Sequence, residues 1–263
     1  MSPARASGQV FLGVSALLFA ASATMTIAWC ASMPAAGDMA MPGGWTMSMT
    51  WMRMPGQTWA GAAASFLGMW MVMMIAMMLP SLVPVLWRYR QSVGAPGATQ
   101  LDRLTALAAT GYFLVWAAFG MAAFPLGIAL AAVAMQQPGL ARAVPIMVGL
   151  VVLIAGALQF TAWKAHHLAC CREVPGCTRA LPADSGMALR YGLRLGLHCS
   201  CCCVGLTAML LAIGIMDLHA MAVVMAAITV ERLAPAGERV ARLTGSVAIA
   251  AGLFLTAHAA GLA

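Results

Sequence analysis

The chain is 263 residues long, 63% hydrophobic and only 8% charged. A soluble domain carries about 25% charged residues, so a soluble enzyme is excluded and a polytopic membrane protein is implied. The net charge of +7 does not mark a nucleic-acid binder, because the basic residues are scattered between apolar stretches, where positive loops set membrane orientation.

Seven apolar segments read as membrane spans: 10–31, 62–87, 104–134, 143–163, 195–216, 217–234 and 243–262. They predict an all-α polytopic transmembrane helix bundle of about seven spans, without a soluble domain or an internal repeat. The first segment follows Arg5 and exceeds the roughly 7–15 apolar residues of a secretory signal, so it is read as a retained span. Three parts follow: 1–61, the first span plus a Met-rich exterior loop; 62–242, a metal-binding membrane core; and 243–263, a C-terminal span.

Basic residues orient these spans. With the N-terminus inside, the inner segments hold Arg5, Arg88, Arg90, Arg103, Lys164, Arg172, Arg179, Arg190, Arg194, Arg232, Arg239 and Arg242. Only Arg53 and Arg142 fall outside. This bias predicts an N-in, C-out topology in a bacterial inner membrane, with the lipid bilayer as the surrounding phase.

The loop from Ser32 to Trp59 repeats Met-x-Met at Met39/Met41, Met47/Met49 and Met52/Met54. Thioethers stay ligands for Cu(I) where thiols would be oxidised. The same loop also fits an interfacial cap, with Trp45, Trp51 and Trp59 at the membrane surface. In the second span Met71, Met74 and Met78 share a helix face, flanked by Met73 and Met77. Methionine more often fills cores than binds metal, so this stripe reads first as packing and alternatively as a ligand path. Pro80 and Pro84 predict a kink at its inner end.

Cysteine and histidine then crowd together: His166, His167, Cys170, Cys171 and Cys177 in an interior loop, and His198, Cys199, Cys201, Cys202 and Cys203 where the fifth span begins. Sulfur with imidazole favours Cu(I) or Zn over hard cations. Cys199, Cys202 and Cys203 stand at i, i+3 and i+4 and face one way, whereas Cys201 points elsewhere. A disulfide exchanging between Cys171 and the Cys199 group is the redox alternative. Glu231 closes an apolar run and reads either as an intramembrane ionisable group or as a helix end beside Arg232 at the interface. Asp217 and His219 mark an exterior turn, and His258 is assigned nothing. Phosphate loops, HExxH and paired CxxC motifs are absent, so no residue is assigned a catalytic role.

Three stretches together resemble a bacterial family of predicted metal-binding integral membrane proteins (domain of unknown function 2182). They are Trp70–Ser81, then Gln159–Lys164 continuing to Cys171 and Arg172, then Cys199–Cys203 continuing through Gly214–Met216 to Glu231–Pro235. The resemblance covers roughly residues 66 to 240 and implies a bound metal without identifying it. The family places Cys three and seven residues after the loop lysine, where this chain has His167 and Cys171. Cys201 stands where the family has Gly, and Val204 where it has Trp. Losing one thiol of that pair while keeping a metal-binding side chain favours ligation over disulfide exchange.

The expectation is a protein that binds a soft transition metal, Cu(I) first and zinc as the alternative. It would act in transport, or in delivery to a partner cuproprotein or exchange with a soluble metallochaperone. The proposed ligands are Cys199, Cys202, Cys203, Cys171 and His167, with Met74, Met77 and Met78 along the path. Two other classes remain open: a membrane thiol–disulfide oxidoreductase, and a non-catalytic structural subunit of a membrane complex.

Overall fold

The computed structural model describes residues 3–32, 39–41, 45–47, 51, 56–94, 97–172 and 182–261. Eight helices appear among them: α1 (Pro3–Ser32), α2 (Trp59–Ser92), α3 (Ala98–Gln136), α4 (Pro138–Leu158), α5 (Ala162–Arg172), α6 (Ser185–Ile213), α7 (Leu218–Leu233) and α8 (Gly237–Ala259). Between α1 and α2 lies a small antiparallel hairpin of β1 (Met39–Met41) and β2 (Trp45–Met47).

Six helices, α1 to α4, α6 and α8, are long and apolar enough to cross a membrane. The segment read as a span over 217–234 is the 16-residue α7. At about 1.5 Å per residue it is roughly 24 Å long, against a hydrocarbon core of about 30 Å. The interior loop of the sequence reading is likewise not a loop: residues 162–172 form the helix α5. Its apolar content is too low for a span, but Lys164, Leu168 and Cys171, at i, i+4 and i+7, form one buried face against α6.

Helix starts follow local chemistry. Thr58 caps α2 by accepting from the Gly61 amide, Asp184 caps α6 through Met187, and Asp217 caps α7 through His219 and Ala220. Asp217 is therefore a helix cap and not merely a solvated turn residue. α2 stays helical through Pro80 and Pro84; between the two prolines, the Ser81 hydroxyl bonds the Met78 carbonyl at 3.0 Å.

The bundle core is built where helix backbones approach closely. α3 meets α6 through Ala108, Gly111, Gly192 and Gly196: a Cβ at Gly192 would overlap the Ala108 carbonyl, and one at Gly111 would lie 2.6 Å from the Leu189 carbonyl. Gly149 and Gly156 of α4 face Gly252 and Gly245 of α8 in the same manner. Trp70 locks α2 to α3 by donating its indole N–H to the Trp116 carbonyl at 2.9 Å. At one end, the buried Arg90 ties α1, α2 and α3 together. It pairs with Asp102 at 2.8 Å, bonds Thr105 and Ser7, and lies over the Phe11 ring.

The hairpin rests on the helices. The Trp45 indole donates to the Ala141 carbonyl at 2.8 Å, and Met41, Trp45 and Trp51 pack against Ala131 and Ala134. Met49, Met52, Met54 and Cys177 lie outside the described residues, as do the side chains of Met39 and Met47.

Candidate metal centre

The close approach of α3 and α6 sets a polar pocket inside an otherwise apolar core. α6 begins ten residues before the sequence reading placed it, so Cys199 stands near the middle of a 29-residue helix and not at its start. The i, i+3, i+4 spacing turns Cys199, Cys202 and Cys203 inward, and all three are buried. Their sulfurs lie within 4.8 Å of one another. Cys199 and Cys203 are 3.9 Å apart, and Cys202 and Cys203 are 3.5 Å apart. α5 supplies a fourth buried thiol, Cys171, 3.7 Å from the Cys202 sulfur. Metal–thiolate bonds of about 2.3 Å in a tetrahedron separate neighbouring sulfurs by about 3.8 Å. Cys199, Cys202 and Cys203 thus stand near ligand spacing, with Cys171 within reach of Cys202. Cys201 is half-buried and outside this cluster.

Around the sulfurs sits a charged and hydroxylic shell. The Tyr112 hydroxyl of α3 is 3.0 Å from the Cys199 sulfur. Arg232 of α7 directs Nη1 at Cys199 (3.4 Å), Ser81 (2.8 Å) and Tyr112 (3.4 Å), while its Nε and Nη2 have no hydrogen-bond partner. Lys164 of α5 donates to the Cys202 carbonyl and to Glu231, both at 2.7 Å. Lys164, Glu231 and Arg232 are all buried. Glu231 and Arg232 do stand in the last turn of α7, and both side chains point into the core. Buried charge of this kind is expensive and is kept where it balances another charge or serves function. Cys199 is the group beside Arg232 that could carry a balancing negative charge.

His167 is placed differently from the expectation. Its Nδ1 is 3.0 Å from Nδ1 of His198, on the half-exposed side of α5, and its ring meets Trp163 edge-on. The described contacts tie it to that imidazole and not to the thiols. Burial, reinforced by the charges of His198 and His166, lowers its pKa from the ordinary histidine value, which favours the neutral, ligating form near neutrality.

Met74, Met77 and Met78 are buried in the same core cluster as the cysteines. Just before them on α2, Met69 and Met73 join Met216, Met221, Thr26 and Trp29 around a small cavity. There the Met216 sulfur is 3.7 Å from the Cys30 sulfur. Tyr112 carried no signal in the sequence, whereas Ser81 and Arg232 lie in the stretches that carry the family resemblance, and Arg232 also stands as a second charge beside Glu231.

A family model described as PpoB2, copper chaperone, matches residues 67–255. The chain belongs to that family, which implies a copper-handling partner. No curated protein and no solved structure matches the chain.

Proposed function

We propose that this member of the copper chaperone family binds Cu(I) as cargo at Cys199, Cys202, Cys203 and Cys171 and passes it through the membrane, or from it, to a partner cuproprotein. The observation that carries the reading is the convergence of these four buried sulfurs beside a buried arginine with unpartnered N–H groups. Thiolates prefer Cu(I), with zinc the alternative ion. Arg232 then offsets the negative charge that such a complex holds in a low-dielectric core.

Methionines supply the rest of the route. Met69, Met73, Met74, Met77 and Met78 follow one another along about 14 Å of α2, from the Cys30–Met216 end toward the middle of the bundle. Thioether ligands need no deprotonation and hold the ion less tightly than thiolates, which suits stepwise exchange. In this reading the N-terminus is cytoplasmic, the thiols face the inner half of a bacterial inner membrane, and the Cys30 end faces outward. A thiol–disulfide oxidoreductase is disfavoured by the burial of all four sulfurs, since exchange needs access for an attacking thiolate.

The test is metal analysis of the anaerobically purified chain, with and without the C199S/C202S/C203S change. The variant should insert into the membrane normally and lose its stoichiometric copper. Retention of one tightly held copper per chain would place the cargo elsewhere.

A further inference from the structure

Beside the thiols lies a second cluster that the copper site does not use. His166, His167 and Cys170 occupy i, i+1 and i+4 of α5, and His198 approaches from α6. The Nδ1 atoms of His167 and His198 are 3.0 Å apart. His166 Nε2 is 3.7 Å from the Cys170 sulfur. The His166 ring is 5.3 Å from that of His167 and 6.4 Å from that of His198. His166 is exposed; the other three are half-exposed.

Without an occupant the pair holds together as one hydrogen bond, in which one Nδ1 carries a proton and the other accepts it. A metal ion shared between the two Nδ1 atoms would take both lone pairs at once. Imidazole is a borderline ligand suited to copper and zinc.

Position gives the cluster its meaning. His167 is one turn from Cys171 on α5, and His198 is the residue before Cys199 on α6. The same two helices therefore carry a buried sulfur set and an accessible imidazole set, side by side. The thiols themselves are closed to a protein donor or acceptor; the imidazoles are not.

We propose that His167 and His198, with His166 and Cys170 as further donors, form a second, surface-accessible metal site through which Cu(I) exchanges between a partner and the buried thiols. The exchange is ligand substitution without electron transfer: copper–nitrogen bonds give way to copper–sulfur bonds, and the thiol protons released pass to water. The copper identity rests on the reading above, whereas the existence of the imidazole site does not.

The experiment uses the full chain in detergent under anaerobic conditions, titrated with Cu(I) alone against a competing chelator. Copper-edge X-ray absorption reports the ligand type. The wild-type chain should bind two ions, one with imidazole and one with sulfur ligands. H167A/H198A should keep only the sulfur-bound ion and should load it at least about tenfold more slowly from the chelator, the scale of effect seen when a metal site loses supporting groups. C199S/C202S/C203S should keep only the imidazole-bound ion. If H167A/H198A still binds two ions, or loads the thiols at the wild-type rate, the proposal is overturned. Should the cysteine variant bind two ions while H167A/H198A loses one, the thiol reading falls and the surface site stands. A site that takes Zn(II) alone and no Cu(I) would overturn its role in copper exchange.

Discussion

Arg232 brings Nη1 to 3.4 Å from the Cys199 sulfur, with both side chains buried. The two residues come from different helices, α7 and α6, so the contact exists only in the assembled bundle. It joins a donor set suited to a soft cation with a fixed positive charge. That pairing suits a complex whose total thiolate charge exceeds that of the cargo ion.

Replacing Arg232 by Met should therefore weaken Cu(I) binding by about 10- to 100-fold, the usual effect of losing a group that supports metal ligands. Arg232→Lys keeps the charge but not the reach that sets Nη1 among Ser81, Tyr112 and Cys199, and should fall between the two. Competition titration with a Cu(I) chelator measures all three. Equal affinities would mean that Arg232 serves only the helix contact.

Tyr112 gives a finer version of the same test. Its hydroxyl lies 3.0 Å from Cys199, and a hydrogen bond to a charged acceptor is worth about 1.5–3 kcal/mol. Tyr112→Phe should lower Cu(I) affinity by roughly tenfold or somewhat more, with the helical content unchanged by circular dichroism.

Much of this site was legible from spacing. The i, i+3, i+4 pattern of Cys199, Cys202 and Cys203 places three thiols on one face wherever the helix begins, so the error of ten residues in the start of α6 did no harm. What spacing cannot show is which neighbours that face meets. Tyr112 and Ser81 sit on α3 and α2, and only the glycine-mediated approach of α3 to α6 and the packing of α7 on α2 bring them in. His167 was misplaced for a related reason. On a loop it was free to fold toward the sulfurs, but on α5 its direction is set by the buried face of Lys164, Leu168 and Cys171.

Gly192 offers a test of that approach. A side chain there collides with the Ala108 backbone, which cannot move aside as a flexible side chain would. Gly192→Val should cost at least the about 1–3 kcal/mol of an overpacked core. Because it separates Tyr112 from Cys199, copper affinity should fall as well. Gly68→Val on α2, where an added Cβ meets nothing within 4 Å, should leave thermal stability and copper binding near wild type.

The Lys164–Glu231 pair separates charge balance from metal support. At 2.7 Å and almost fully buried, it should tolerate the loss of either partner alone poorly: Lys164→Met strands a buried carboxylate at about 3–5 kcal/mol. The double change Lys164→Met with Glu231→Leu removes both charges and should recover most of that loss. Thermal unfolding in detergent gives the comparison. If the double variant is no better than the single one, Lys164 acts chiefly through its bond to the Cys202 carbonyl, and copper affinity should then fall in both.

Topology turns on α7. Its 16 residues carry Glu231 and Arg232 in the last turn, and both side chains are buried in the bundle. A helix whose last turn is neutralised inside the protein can cross a locally thinned or protein-lined region despite its length. The basic residues Arg239 and Arg242 follow directly, at the start of α8, and belong on the same side as Arg190 and Arg194 at the start of α6. For that to hold, α7 must return the chain across the membrane from the Asp217 turn. Reporter fusions after residue 183 and after residue 236 should then both read as cytoplasmic, and a fusion after residue 261 as exterior. If the fusion after residue 236 reads as exterior, α7 does not cross, and the C-terminus lies on the cytoplasmic side.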